Sequence, residues 1–427
     1  MAGTEPSTTP RPDLLLTGFS EVATMAGPLG PRTGPAQGEL AIIEDGAIAC
    51  QRGRIVWVGP ERKLRRSVRP SHGVRRRSFP GGIALPGFVD AHTHVLFAGS
   101  REGEVGRKVR GESYLEIARK GGGLFRTVRE TREASPRTLF EQARSRLERM
   151  RNWGTTSAEV KSGYCLTLEG ELKLLRLVPR LSNATGMNLI PTFLGGHAFP
   201  PEARGDHRGY LRTLNDRMIP AVSRENLAMF CDVFCEEGFF SASESEKVLR
   251  AGMSRGMLPK IHADEFSVTG GAEVAARLSA VSADHLLETP ARTRAALARA
   301  RVVAVLLPVT PMASLAGSRS PGREMVDAGV AVALGTDLSP NSWVESMPMV
   351  LGHAVHSARL TPSEALVAAT VNAAYASGMG GTAGELVPGR WADIVVFDLP
   401  GAEHLAYRWG TYPPKAVFLG GKDVLRA

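Results

Sequence analysis

Apolar and polar positions alternate with a period of two near both ends of the chain. LLLTGF, ELAIIEDGAIAC and RIVWVGP toward the N-terminus, and WADIVVFDL and AVFLGGKDVL toward the C-terminus, are short runs of this kind punctuated by glycine. That is the pattern of half-buried, antiparallel strands. It predicts one small β-sandwich module drawn from both chain ends, over residues 13–84 and 378–427. Residues 1–12, rich in Pro and Thr, are expected to form a disordered tail.

Between the two ends, short apolar runs alternate with amphipathic stretches, as in a parallel α/β fold. There are eight such runs: IALPGFVDAHTH, TTSAEVKSGY, NLIPTFLGGH, FCDVFCEEG, LPKIHADEF, AVSADHL, RVVAVLLPVT and VAVALGTDLSP. Eight strands predict a closed (β/α)8 barrel of the TIM type over residues 85–377. The alternative, a doubly wound sheet, lacks its mark, because no GxGxxG opens a helix after the first strand. Seven of the eight runs are apolar first and carry His, Asp, Glu or Lys/Tyr toward their ends, while the seventh ends in a plain Thr. Barrels place their active sites at the C-terminal ends of the strands, so the polar residues fall where chemistry is done.

Composition narrows the picture. The 427 residues accommodate a barrel and a module, and 43% hydrophobic with 22% charged residues is globular rather than disordered composition. No apolar run approaches the roughly 18 residues of a membrane span, and MAGTEPSTTPRPD has no basic n-region before an apolar stretch. A cytoplasmic protein with no membrane partner is expected. The four cysteines, Cys50, Cys165, Cys231 and Cys235, are too few for a disulfide framework and read as buried reduced thiols. A net charge of +9 invites a nucleic-acid reading, but the densest basic run, Glu61 to Arg77, contains no aromatic residue to stack on bases. The arginines are read as a solvated face that also draws in anionic substrates, with no nucleic-acid partner.

His92 and His94 stand two apart at a strand end, so both side chains point to the same face and can hold one cation. His262, His285 and Asp337 sit at other strand ends. Neutral imidazoles with a carboxylate suit Zn²⁺, Fe²⁺, Mn²⁺ or Co²⁺, and leave a position for water whose pKa the metal lowers toward ~7.

PGFVDAHTHVLFAGSRE, the GGG of KGGGLFRTVRETREAS, EVKSGY, TFLGGHAFPPE, DVFCEEGFFS, KIHADEFS, SADHLL and GTD together resemble the imidazolonepropionase family of histidine degradation, over nearly the whole chain. IIEDGAIACQRGRIVWVGP and GELVPGRWADIVVFD resemble the small β module of the wider amidohydrolase superfamily. The HxH and GTD pieces are shared across that superfamily, whereas SREGE, EVKSGY and FLGGHAFPPE are much more specific. The resemblance implies hydrolysis of a cyclic amide with a carboxylate tail, 4-imidazolone-5-propanoate, to N-formimidoyl-L-glutamate.

Carried over residue by residue, the resemblance implies that His92, His94, His262 and Asp337 bind one divalent or trivalent metal ion per subunit, zinc or iron. His285 stays off the metal and touches the attacking water or the carbonyl oxygen, Asp337 moves the water's proton, and Glu265 hydrogen-bonds a ring N–H. No ligand of the carbamylated-lysine kind ends the fourth run, which carries Glu236 and Glu237 instead, so one metal is expected rather than two. Arg101, Tyr164 and His197 match substrate-binding positions, and Arg101 is a fork for the propionate. Ser339, Asn341 and Ser342 occupy the other substrate-facing loop, where Ser339-Pro340-Asn341-Ser342 departs from the family's usual Asn-Pro-Gly. PVTPMASL also departs from the aromatic-containing segment usual after the seventh strand. A small anionic substrate and a homodimer are the partners expected. Two other readings share these residues: another amidohydrolase, such as a cyclic amidase or nucleobase deaminase, and an inactive barrel serving as an interaction scaffold.

Overall fold

The computed structural model of the chain describes residues 9–112, 116–117, 120–203, 205–315 and 317–425. Among the described residues, fifteen strands form two sheets. Along the chain they are β1 (Leu14–Ala23), β2 (Ile42–Gln51), β3 (Arg54–Pro60), β4 (Arg75–Pro86), β5 (Phe88–Asp90), β6 (Thr155–Lys161), β7 (Asn188–Gly196) and β8 (Phe230–Cys235). They continue as β9 (Leu258–Ala263), β10 (Ser282–His285), β11 (Val303–Leu306), β12 (Val332–Leu334), β13 (Ile394–Phe397), β14 (Ala416–Leu419) and β15 (Lys422–Asp423).

Strands β5 to β12 pair in sequence order, each parallel to the next, and correspond one for one to the eight apolar runs. Every residue of β6 and of β8 is buried, as expected of strands covered on both faces. The barrel closes just beyond β5 and β12. There the Asp337 N–H donates to the His92 carbonyl (3.1 Å) and the His94 N–H to the Leu338 carbonyl (2.9 Å). The residues that join the ends of the barrel are therefore those that carry its candidate chemistry.

The second sheet is mixed and draws on both chain ends, in the order β15-β14-β13-β4-β1-β2-β3. Its interior includes Phe79, stacked on Phe19 at 5.5 Å and edge-on to Phe418 at 6.2 Å. Two details differ from the alternation pattern. Strands β1 and β4 run parallel, because the β2–β3 hairpin and the helix Glu61–Ser67 intervene and return the chain in the same direction. The first apolar run also divides between the sheets. Ile83 to Pro86 pair with β13 in the module, and only from Phe88 does the chain enter the barrel. Gly87 makes the crossing in close contact, since a Cβ there would lie 2.2 Å from the Thr156 side chain.

Of the expected N-terminal tail, residues 1–8 lie outside the described residues. The Pro10 and Pro12 carbonyls accept hydrogen bonds from the N–H groups of Arg69 and Ser71, which ties residues 10–12 to the module. All four cysteines are buried and unbridged, and burial pushes the thiols of Cys50 and Cys165 up to about 12, which leaves them inert. Among the described residues no helix is long and apolar enough to cross a membrane.

Candidate active site

His92 and His94 follow β5, His262 lies in β9, His285 ends β10 and Asp337 follows β12. The His94 Nε2 stands 3.2 Å from the Nε2 of His92 and 3.3 Å from that of His262. Asp337 Oδ1 lies 3.7 Å and 3.6 Å from the Nε2 atoms of His92 and His94. A tetrahedral ion with donors at ~2.0–2.1 Å separates them by about 3.3 Å, the spacing seen here. One ring N–H cannot serve two facing imidazole nitrogens, so a cation is the partner this convergence suits.

The other edge of two of the rings bears on their orientation. His92 Nδ1 lies 2.6 Å from Asp284 Oδ2, and His262 Nδ1 lies 3.0 Å from Asp232 Oδ2. For His92 the Asp284 carboxylate holds the proton at Nδ1 and turns the Nε2 lone pair toward the centre, while Asp232 lies beside the Nδ1 edge of His262. Burial above all, with neighbouring imidazoles and Lys161 adding, pushes His92, His94 and His262 well below the usual histidine range. They are neutral, the form that binds metal.

Beneath the imidazoles lies a fully buried ionic layer that sequence reasoning missed. The Lys161 ammonium contacts Asp232 (2.7 Å), Glu159 (2.9 Å) and Asp284 (3.4 Å), and Lys260 contacts Glu159 (2.9 Å). Burial opposes the charge on Lys161, but the three carboxylates outweigh it and hold the ammonium protonated. Three carboxylates against two ammonium groups leave the layer below the histidines negative, and Asp337 and the buried Asp90 stand beside it, a setting that suits a cation. The signal was available, because Glu159 with Lys161, and Lys260 with His262, stand two apart in otherwise apolar strands and so share an inward face.

Asp337 is held by its second oxygen, which accepts from the Thr310 hydroxyl at 2.9 Å. This is the plain Thr that ends the seventh run. Burial, opposed first by that hydrogen bond, lifts the Asp337 carboxyl to about 7. A protonated carboxyl ligates poorly, whereas the imidazoles are still neutral at that pH. Metal uptake by chelator-stripped protein is therefore expected to weaken by up to ~10-fold per unit as pH falls below about 7. Competition against a chromophoric chelator measures this, and a flat affinity between about pH 5.5 and 8 would contradict it.

Arg101, Tyr164, His197, Glu265, His285, Asp337, Ser339 and Asn341 line one cavity, with His94 and His262 also reaching it. His92 is buried behind it. Ser342 is not on that lining: it is buried, and its N–H and carbonyl close on Ser339 Oγ (3.2 Å) and the Ser339 N–H (3.0 Å). His197 stacks on His94 at 5.1 Å and lies 5.2 Å from the Tyr164 ring. Its Nδ1 meets the Gly163 carbonyl at 3.1 Å, and burial lowers it to about 4.

Arg101 is anchored by Glu104, whose Oε2 lies 2.9 Å from Nε and 2.8 Å from Nη2. Glu104 Oε1 accepts from the Gly123 N–H at 2.7 Å, and a Cβ on Gly122 would lie 2.9 Å from that oxygen, so Gly122 serves this close approach. Glu236 does not line the cavity. It accepts from the Phe266 N–H (2.9 Å) and the Ser267 hydroxyl, and so supports the loop that carries Glu265. Burial, then Asp337 and Glu236, raises the Glu265 carboxyl well above its usual range.

His285 Nδ1 lies 3.6 Å from Glu265 Oε1, and burial lowers the imidazole to about 4. His285 (φ 74°) and Asp337 (φ 50°) both occupy the left-handed region. Strain of this kind, at two residues of one cavity, is typical of a site whose surroundings over-determine it.

The amidohydrolase family matches over residues 222–408. An imidazolonepropionase of Shouchella clausii is 40% identical over 415 residues, 96% of this chain and 93% of that protein. Another, of Symbiobacterium thermophilum, is 44% identical over 400 residues, 93% of this chain and 94% of that protein. Among solved structures, an adenosine deaminase of Xanthomonas campestris with bound zinc has a TM-score of 0.72 at 20% identity, covering 97% and 93% of the two chains. The guanine deaminase of E. coli has a TM-score of 0.73 at 17% identity, covering 96% and 99%. At these identities the structural likeness speaks for the fold alone.

Proposed function

Since the chain belongs to the imidazolonepropionase family, we propose that the cavity above His92, His94, His262 and Asp337 is where its ring-opening reaction takes place. The protein is a hydrolase of histidine degradation, converting 4-imidazolone-5-propanoate to N-formimidoyl-L-glutamate. The observation that carries the site assignment is the convergence of three imidazole nitrogens and one carboxylate oxygen, 3.2–3.7 Å apart, at a cavity that Arg101 also lines.

The donors suit one ion, zinc or iron. Such an ion, when bound, polarises the ring carbonyl and lowers the pKa of water toward about 7. The remaining work falls to the chain. Water adds to the carbonyl carbon and the amide C–N bond breaks. Asp337, fixed by Thr310, accepts the proton of the attacking water and returns it to the leaving ring nitrogen. His285, neutral, donates a hydrogen bond to the carbonyl oxygen as negative charge grows there. Glu265 hydrogen-bonds the ring nitrogens, Tyr164 and His197 bound the ring, and Ser339 and Asn341 bound the cavity from the loop after β12.

Turnover of authentic 4-imidazolone-5-propanoate is the test. Formation of N-formimidoyl-L-glutamate without ammonia is expected. Release of ammonia would favour a deaminase, and no turnover by metal-loaded protein would overturn the reading.

Arg101, oriented by Glu104, is assigned to the propionate carboxylate. Hydrogen bonds to charged groups contribute roughly 1.5–3 kcal/mol, so Arg101→Ala is expected to lower kcat/KM about 10–150-fold. Lysine should rescue only partly, because a point charge does not reproduce the fork. On an imidazolone without the tail, wild type and variant should be equally poor. Equal losses on both substrates would mean that Arg101 acts on the ring or on loop structure.

A further inference from the structure

The charge balance at the cavity rim points to a residue outside the recognised motifs. Arg101 precedes the helix Glu102–Val109 and is ion-paired with Glu104 on its first turn, so that pair is close to neutral. On the same helix, one turn beyond Glu104, stands Lys108. It is half-buried, and its ammonium donates to Asn341 Oδ1 (2.7 Å) and the Ala313 carbonyl (3.3 Å). Among the described residues no carboxylate lies within ion-pairing distance of it, and Arg101 and Glu104 act on it, with opposite signs, only more remotely. Asn341 lines the cavity and donates through Nδ2 to the Ser314 hydroxyl at 3.0 Å. One ammonium therefore ties together the loops that follow β5, β11 and β12, and leaves a positive charge beside the cavity without an ionic partner among the described residues.

We propose that Lys108 is a specificity-determining residue, which holds the Asn341 side chain at the cavity wall and supplies the net positive charge that selects a ligand with a carboxylate tail. Partial burial makes that charge effective, because solvent screens it less than an exposed lysine. The departure of the Ser339 to Ser342 loop from the usual family pattern acquires a reason, since the amide that Lys108 grips is Asn341. This inference rests on the reading of the reaction as hydrolysis of an anionic imidazolone, and its test is chosen to be separable from that reading.

The test measures binding, apart from turnover, on metal-loaded full-length protein. Imidazole-4-propanoate and 4-ethylimidazole share a ring and differ in the carboxylate. Wild type should prefer the propanoate, and Lys108→Met, which keeps the apolar stem, should cut that preference about 5–20-fold while leaving the affinity for 4-ethylimidazole within about 2-fold. Lys108→Arg should retain most of the preference. The salt dependence of propanoate binding should flatten in Lys108→Met alone. An unchanged preference in Lys108→Met, or an equal loss of affinity for both ligands, would overturn the proposal. Failure of wild type to hydrolyse 4-imidazolone-5-propanoate while the propanoate preference depends on Lys108 would instead overturn the reaction and leave the role of Lys108 standing.

Discussion

His262→Ala and Asp337→Ala are each expected to yield folded protein that retains less than about a tenth of the wild-type metal and loses more than about 10³-fold in turnover. Each removes one of four converging donors, and loss even of groups behind the ligands costs roughly 10–100-fold in affinity. The two variants fail for different reasons. Without the His262 ring, Asp232 loses the imidazole nitrogen 3.0 Å away and keeps Lys161 as its ionic partner, so the negative layer remains while a neutral donor is gone. Without the Asp337 carboxylate, the Thr310 hydroxyl loses its acceptor and a carboxylate donor that would face the ion disappears. Elemental analysis with circular dichroism separates metal loss from unfolding. Full metal occupancy with normal turnover in either variant would remove that residue from the site.

The barrel was legible because its strands are buried on both faces and announce themselves as apolar runs. The polarity at their ends even indicated which end carries chemistry. Hydrophobic periodicity does not say which sheet a run joins, and this is why IALPGFVDAHTH read as one strand. Its first residues face β13 and its last face β6, with the change made at Gly87 by packing against Thr156. Pairing direction is likewise set by the connection rather than by the strand, so the parallel β1–β4 pair could not be read from alternation.

The residues of the site that could be named in advance are those with rare side chains at strand ends. Those missed act through their neighbours. Lys161 sits inside an all-buried strand, where an isolated ammonium would cost several kcal/mol, and it is tolerated only because β6, β8 and β10 each contribute a carboxylate to it. That requirement is tertiary, and its only local trace is the two-residue spacing of Glu159 with Lys161 and of Lys260 with His262. Thr310 meets Asp337 because the loop after β11 faces it, and Lys108 meets Asn341 because its helix leans on that loop. Ser342 shows the reverse: adjacent to cavity residues in sequence, it turns its backbone onto Ser339.

His285→Ala is expected to keep its metal and lower kcat by roughly 10²–10⁴-fold, the range for losing a proton-transfer group or an oxyanion donor. The structure separates this histidine from His92 and His262 by what stands behind the ring. His92 and His262 are backed at Nδ1 by Asp284 and Asp232 of the buried ionic layer, as metal-binding imidazoles are. His285 faces Glu265 on the cavity wall, with its Nδ1 3.6 Å from that carboxyl. Its ring centroid is nonetheless only 5.3 Å from that of His262, and one ring nitrogen from each of His92, His262 and His285 can be gathered within 4.8 Å, so ligation is the competing outcome. Alanine alone would also strain the backbone, because φ at this position is 74° and a residue without a local polar group rarely adopts it. His285→Asn resolves the ambiguity, since asparagine tolerates the left-handed region and restores a short hydrogen-bond donor. The expected order of kcat is wild type, then Asn, then Ala, with metal content equal in all three. Loss of metal in both variants would make His285 a ligand, and equal kcat in Asn and wild type would make its role one of backbone geometry rather than of the imidazole.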